Sequence, residues 1–169
     1  MPTTIEAEEL VARACQLGAA EAKLIDPPSI VTAAWVRMKC QYGCGGYGSS
    51  LCCPPYTPTP EQTRAVIDCY ERAILVHCKP GVRVKQIVAA LEREAFLAGY
   101  YRAFGLGEGP CHLCDECTLE ACSHPREARP AMEACGVDVF ATVRANGFPI
   151  EVVTDRDCDR NFYGVLLLD

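Results

Sequence analysis

Four cysteines lie within one short segment of this chain, CHLCDECTLEACSHP, and constrain it more than any other feature. They are Cys111, Cys114, Cys117 and Cys122, and their spacing is C-x2-C-x2-C-x4-C. Three thiolates at i, i+3 and i+6 can surround one cubic cluster, whereas a zinc site usually takes its ligands as two separated pairs. The spacing therefore predicts a cysteine-ligated metal centre, with an iron–sulfur cluster favoured over zinc.

The run is close to the ferredoxin-type pattern C-x2-C-x2-C-x3-C-P. It has one extra residue before Cys122, and its proline, Pro125, is displaced by two positions. His124 can replace a cysteine as ligand, and that choice would favour zinc. We favour the interpretation that His124 is not a ligand and lies beside the turn at Pro125.

A second group of cysteines lies in the segment MKCQYGCGGYGSSLCCPPY, with the spacing C-x3-C-x7-C-C-P-P. Its members are Cys40, Cys44, Cys52 and Cys53. This spacing matches no common zinc pattern, and glycines between the cysteines allow backbone amides to point toward sulfur. Because adjacent cysteines seldom bind the same metal, we favour Cys53, directly before the prolines, as the ligand. A glycine-rich loop with incidental thiols is the alternative.

The two groups together offer seven candidate metal and cluster ligands: Cys40, Cys44, Cys53, Cys111, Cys114, Cys117 and Cys122. Two [4Fe–4S] clusters with full cysteine ligation need eight. As in two-cluster ferredoxins, Cys122 can join Cys40, Cys44 and Cys53, or each group can keep its own cysteines. Either way one iron stays open unless Cys52, Cys135 or Cys158 fills it. Full ligation suits electron transfer, whereas an open iron can bind substrate or sulfur.

Composition limits the remaining possibilities. The chain has 169 residues, which suits one domain, and 13 cysteines. An odd number of cysteines in tight local groups, without an export signal, indicates metal ligation in the reducing cytoplasm rather than disulfides. The net charge of −6 argues against nucleic acid as a partner, and no apolar run is long enough to cross a membrane.

Hydrophobic periodicity predicts an α+β fold with about four strands in one cysteine-rich, metal-binding domain, residues 1–169. Thr59-Pro60-Glu61-Gln62 is typical of a capped helix start. The last two strands are predicted to form a hairpin. The predicted helices span residues 5–17, 32–38, 60–70, 84–104, 129–135 and 138–145, and the predicted strands span 22–25, 73–78, 150–154 and 162–168.

The other cysteines and one histidine are expected to be structural. We expect small apolar core roles for Cys15, Cys69, Cys78 and Cys135. Cys158 stands among carboxylates, which are expected to raise its pKa and make it unreactive. His77, in an apolar strand, is expected to be a hydrogen-bonded core residue.

Three segments resemble a known family. They are W-V-R-M-K-C-x3-C-x2-Y-G with C-P-P-Y between Trp35 and Tyr56, G-P-C-x2-C-x2-C-x4-C-x-H-P from Gly109 to Pro125, and A-R-P-A-M-E-A-C-G-V-D-V from Ala128 to Val139. Together they make the chain similar to an uncharacterised family of predicted metal-binding proteins common in anaerobic bacteria and archaea. The resemblance implies a cysteine-ligated centre of iron–sulfur type and supplies no reaction.

Three classes of function follow as hypotheses. The first is an iron–sulfur protein that carries electrons to or supports a redox partner protein, with one or two [4Fe–4S] clusters. The second is an enzyme in which an open-site cluster binds substrate or sulfur. The third is a structural zinc protein that serves as an interaction module, in which the metal staples the fold. The sequence does not predict the oligomeric state.

Overall fold

The structure is a computed structural model, and it describes residues 5–169. Within them, four strands form one antiparallel sheet: β1 (Glu21–Ile25), β2 (Ala73–Cys78), β3 (Phe104–Leu106) and β4 (Phe162–Leu167). Their order in the sheet is β1-β2-β4-β3. The sheet is combined with helices, so the fold class is α+β, as predicted.

Five α-helices pack around the sheet within residues 5–169. They are α1 (Ala7–Gln16), α2 (Ala34–Gly43), α3 (Pro60–Ile67), α4 (Val84–Leu97) and α5 (Val139–Ala145), with 3₁₀ turns at Pro27–Ser29 and Glu133–Cys135. The predicted capping box of α3 is present: the Gln62 amide donates to Thr59 Oγ1, and the Thr59 amide donates to Gln62 Oε1. No helix of residues 5–169 is both long and apolar enough to cross a bilayer.

Each face of the sheet carries its own hydrophobic core. Side chains alternate along a strand, so Ile74 and Val76 of β2 face α1 and α4, whereas Ala73 and Leu75 face the opposite side. On the α4 side the buried residues recur at helical spacing, as at Ile87 and Leu91. The opposite core is filled by side chains from α3, the Glu133–Cys135 turn, α5 and the segment that follows it: Ile67, Met132, Cys135, Val143, Phe148 and Ile150.

The predicted C-terminal hairpin is wrong. Residues 150–154 form no strand, because both edges of β4 are already paired, one with β2 and the other with β3. The short strand β3 was not predicted, and its first residue, Phe104, was predicted as the end of the helix over residues 84–104. That helix ends at Leu97, followed by Gly99 in the left-handed region (φ 109°).

Two further predicted helices differ from the structure. The helix predicted for residues 129–135 is only a 3₁₀ turn, Glu133–Cys135, which ends at Gly136 (φ 78°). A Cβ on Gly136 would lie 2.4 Å from Pro60 Cγ, so only glycine fits there. The helix predicted for residues 32–38 continues to Gly43 and carries Cys40 on its last turn.

Backbone bonds bring the cysteine-bearing segments to one side of the molecule. Thr32 and Val137 form an antiparallel bridge, and the Ala33 amide donates to Gly136 O at 2.9 Å. Gly107 and Ala131 form a parallel bridge that closes the base of the loop holding the four-cysteine run. These two sets of backbone bonds anchor both cysteine-bearing segments to residues 131–137.

Candidate metal centres

The four-cysteine run lies on an irregular loop between β3 and the Glu133–Cys135 turn. All four of its cysteines line one cavity of about 670 Å³, which we call the four-cysteine cavity. Cys114 and Cys122 are exposed, and Cys111 and Cys117 are half-buried. Free cysteine is among the most buried residue types, so this exposure is unlike that of packing residues and fits a group of ligands.

The thiols of the loop affect one another electrostatically. Partial desolvation raises the pKa of Cys114, and the neighbouring thiols of Cys117, Cys111 and Cys122 raise it further. Between Cys117 and Cys122 the chain passes through Leu119 with φ 62°, a left-handed conformation that non-glycine residues seldom adopt. The extra residue of the C-x4-C spacing is thus accommodated by a local turn that returns Cys122 to the cavity.

Cys52, from the C-x3-C-x7-C-C-P-P segment, also lines the four-cysteine cavity. Burial raises the pKa of Cys52 to about 12; the nearby Cys111 and Cys122 add to the shift and Lys85 opposes it. Cys52 is 7% exposed, whereas the four cysteines of the loop are half-buried or exposed. The sequence favoured Cys53 over Cys52 as a ligand, because adjacent cysteines seldom bind the same metal, but it did not predict which cavity Cys52 would line.

Cys40, Cys44 and Cys53 line a different cavity, of about 760 Å³, which we call the three-cysteine cavity. Cys40 lies on α2, Cys44 directly follows that helix, and Cys53 ends a turn in which its amide donates to Ser50 O. Burial raises the pKa of Cys40; Cys44, Glu133 and Cys53 raise it further, and Arg37 opposes them. The three candidate ligands of the C-x3-C-x7-C-C-P-P segment are therefore neighbours.

Gly46 brings the backbone against two of these sulfurs. A Cβ on Gly46 would lie 3.5 Å from Cys44 Sγ and 3.8 Å from Cys53 Sγ. The Gly46 amide donates to Cys44 Sγ at 3.4 Å, and on the other loop the His124 amide donates to Cys122 Sγ at 3.3 Å. Amides that donate to a ligand sulfur stabilise the thiolate and tune the metal it binds.

The walls of the three-cysteine cavity come from many elements. Apolar side chains predominate, among them Trp35, Val139 and Phe162. Glu133 reaches into the cavity, where it is accessible to water yet surrounded by protein, and desolvation raises the pKa of its carboxyl, with Glu108 adding to the shift. The main-chain oxygen of Glu133 lies 3.9 Å from Cys40 Sγ.

The two cavities are adjacent. Gly46 and Pro110 line both, and the consecutive residues Cys52 and Cys53 face one cavity each. Lys85 is placed between them: its Nζ donates to Gly109 O at 2.6 Å, and its charge acts on both Cys52 and Glu133. One peptide unit thus connects the two groups of thiols.

Across residues 5–169, no three or more His, Cys, Asp or Glu side chains converge closely enough to hold a single metal ion. The thiols instead stand around the rims of the two cavities. Cys122 lines the four-cysteine cavity with its sequence neighbours and does not line the other. The placement therefore follows the local grouping of cysteines rather than the ferredoxin-type exchange.

Several expectations about the other cysteines require correction. Cys78 and Cys135 are core residues as predicted, but Cys15 and Cys69 are exposed. The prediction for Cys158 is wrong: its pKa is lowered, because the hydroxyl and amide of Thr154 donate to its sulfur. Local hydrogen bonds outweigh the neighbouring carboxylates there.

His77 is a bonded core residue, as predicted. It is 4% exposed, its Nε2 lies 2.8 Å from Asn161 Oδ1, and its ring stacks on Tyr163 with the centroids 4.9 Å apart. The other histidine that we considered, His124, is half-buried on the wall of the four-cysteine cavity.

Residues 23–168 match a family described as "Predicted metal-binding protein (DUF2284)". The match covers both cysteine groups and all four strands except the first two residues of β1. No curated protein and no solved structure matches the chain.

Proposed function

The chain belongs to this family of predicted metal-binding proteins, and on that premise we propose that it binds two [4Fe–4S] clusters and transfers electrons to a partner protein in the cytoplasm. The observation that carries the proposal is the division of eight thiols between two adjacent cavities. Four belong to the C-x2-C-x2-C-x4-C loop. Three, those of Cys40, Cys44 and Cys53, belong to the C-x3-C-x7-C-C-P-P segment, and Cys52 of the same segment lies beside the loop.

The donor sets suit clusters. Thiolates are the usual ligands of iron–sulfur clusters, and each thiolate of a cubic cluster binds a different iron, so the ligands surround the group rather than meeting at one point. Thiols around the rim of a cavity have this arrangement. We assign Cys111, Cys114, Cys117 and Cys122 to one cluster and Cys40, Cys44 and Cys53 to the other.

A bound cluster supplies one-electron transfer, and the chain supplies the surroundings that set its potential. The amides of Gly46 and His124 donate to ligand sulfurs, which favours the more negative, reduced state. The ammonium group of Lys85 favours that state as well. The Cys52–Cys53 peptide offers a short path between the cavities.

The exposed four-cysteine loop suits exchange with a partner protein. Cys114 and Cys122 are exposed, and the loop also carries Asp115, Glu116 and Glu120. An acidic rim of this kind favours a partner with a basic docking surface. The net charge of −6 acts in the same direction.

Anaerobic purification tests the proposal. We expect a brown protein with about eight iron and eight sulfide per chain. A colourless protein with stoichiometric zinc would contradict it and favour a structural zinc module. The double variant Cys111→Ser/Cys114→Ser leaves only two thiolates on the loop and should lose about half the iron, whereas Cys15→Ser, an exposed cysteine outside both cavities, should keep all of it. Equal loss in the two proteins would show that the ligand assignment is wrong.

A further inference from the structure

We propose that the cluster held by Cys40, Cys44 and Cys53 keeps one exchangeable iron position facing the three-cysteine cavity, and that this position binds an organic thiolate with an apolar body. This inference rests on the proposed function and deepens it. It makes the chain a binder of a small molecule as well as a carrier of electrons. The reasons are the number of thiols, the walls of the cavity and its balance of charge.

Three thiols are all that this cavity receives. All thirteen cysteines lie in the described part of the chain, and only Cys40, Cys44 and Cys53 line it. The three candidates for an eighth ligand are placed elsewhere. Cys52 faces the other cavity, Cys135 packs in the core beneath the sheet, and Cys158 bonds to Thr154 within its own loop. A four-iron cluster on three thiolates leaves one iron without a cysteine.

The cavity is large enough for a small organic molecule. Its volume of about 760 Å³ lies within the range of about 300–1,000 Å³ typical of small-molecule sites. Trp35, the only tryptophan, lines this cavity together with Cys40 and Cys44. Its side chain is 49% exposed, so it is accessible to a ligand. Val139, Phe140 and Phe162 complete a mainly apolar lining, which favours a ligand with an apolar body.

The charges of the cavity argue against a strongly anionic ligand. Lys39 and Arg160 line it, and neither pairs with an acidic group among residues 5–169. Four carboxyl groups line it as well and oppose them: Glu108, Glu133, Asp138 and Glu151. With two cations against four carboxyl groups, no net attraction remains for a polyanion such as a phosphate ester. Affinity must come from the iron and from the apolar walls.

The donor atom follows from the chemistry of the vacant position. Iron in a cluster prefers soft sulfur ligands, and a fourth cysteine thiolate would otherwise bind at this point. An exogenous thiol could take its place: its sulfur would donate an electron pair to the iron, the solvent molecule bound there would leave, and the thiol proton would pass to solvent. No oxidation state changes. The structure therefore fits a low-molecular-weight thiol whose carbon skeleton rests against Trp35.

The test uses the cluster-loaded protein and two probe thiols, phenylmethanethiol and 2-mercaptoethanol. We expect both to shift the electron paramagnetic resonance spectrum of one reduced cluster and leave the other unchanged, with phenylmethanethiol at least about tenfold tighter because its ring is buried. Trp35→Ala should weaken phenylmethanethiol severalfold and leave 2-mercaptoethanol unchanged. Tyr101→Ala, an exposed aromatic outside both cavities, should change neither.

Each adverse result has a distinct meaning. Two clusters with spectra that no thiol changes would overturn this inference and leave the proposed function standing. Equal affinity for the two thiols, or equal effects of Trp35→Ala and Tyr101→Ala, would also overturn it. A change in the thiol-free spectrum of Cys158→Ser would identify Cys158 as a fourth ligand and overturn it too. A protein without clusters would instead contradict the proposed function.

Discussion

The two cavities of this protein are neighbours with opposite construction. The four-cysteine cavity is lined by residues 45–52 and by one irregular loop, residues 110–128, whose side chains are mostly exposed. The three-cysteine cavity is lined by parts of α2, α5, β4 and the loops between them, and its walls are mainly apolar. The first cavity receives five thiols, four from its loop and one from Cys52, which is one more than a cluster needs. The second receives three, which is one fewer.

That difference indicates a division of tasks. A fully ligated cluster on an exposed loop exchanges electrons without exchanging ligands, whereas three thiolates at the edge of an apolar cavity leave room for a ligand at the iron. In the proposed arrangement electrons enter at the four-cysteine loop and reach the second cluster through the Cys52–Cys53 peptide. Carrier and binder are then two ends of one molecule.

The sharpest test compares two adjacent residues. Cys53→Ser should lose about half of the iron, because a cluster with only two remaining thiolates is not retained. Cys52→Ser should keep nearly all of it, since four cysteines remain on the loop. Iron content and electron paramagnetic resonance of the two variants decide the matter. If both variants lose the same cluster, Cys52 and Cys53 do not serve separate sites and the comparison fails.

A smaller effect is expected at the base of the four-cysteine loop. Arg129 Nε donates to Glu92 Oε2 at 2.6 Å; the two side chains are only 12% and 15% exposed, and Glu92 Oε2 also accepts the Gly105 amide. Because Glu92→Gln leaves the Arg129 cation buried without its counter-charge, it should lower the free energy of unfolding by about 3 kcal/mol. Urea unfolding of the purified variant measures this.

The matched control for Glu92→Gln is Glu151→Gln. Glu151 pairs with Arg144 at 3.6 Å, and the side chains are 88% and 54% exposed, so its loss should cost less than about 1 kcal/mol. Glu92→Gln should also release iron from the four-cysteine loop before the other cluster. Simultaneous release from both would show that the ion pair stabilises the whole fold rather than this loop.

The smallest effect is the dependence of stability on pH that the buried thiols cause. Burial raises the pKa of Cys78 to about 11 and that of Cys135 to about 12. Below the ordinary thiol pKa both states are protonated; above it the unfolded chain ionises first. Stability should therefore be constant up to about pH 8.5 and then fall by up to about 1.4 kcal/mol per pH unit for each thiol.

This pH dependence is measured by urea unfolding of the metal-free, reduced protein. Cys135→Ala should make the free energy of unfolding fall less steeply with rising pH, by the contribution of one thiol. Any general loss of stability from the substitution adds a constant that does not depend on pH. A slope that Cys135→Ala leaves unchanged would mean that this thiol does not control the high-pH transition.

Much of the fold was predictable because it depends on local pattern. The buried face of α4, the capping box at Thr59 and the apolar run of β2 follow from residues close together in sequence. The predicted hairpin failed because pairing depends on which edges of β4 are free, and a three-residue strand far earlier in the chain occupies one of them. Cys158 was mispredicted because composition counts charges, whereas its pKa depends on hydrogen bonds from Thr154.

The sequence alone determined which residues are candidate donors: seven cysteines in two groups, with a spacing that favours clusters. It did so because four of the candidates share one loop, where spacing fixes which side chains can meet. Only the tertiary structure decided that Cys52 and Cys53 face different cavities, and that the three-cysteine group meets apolar walls drawn from distant elements. Those relations depend on the folding of residues 32–53 against residues 107–137, which no local pattern encodes.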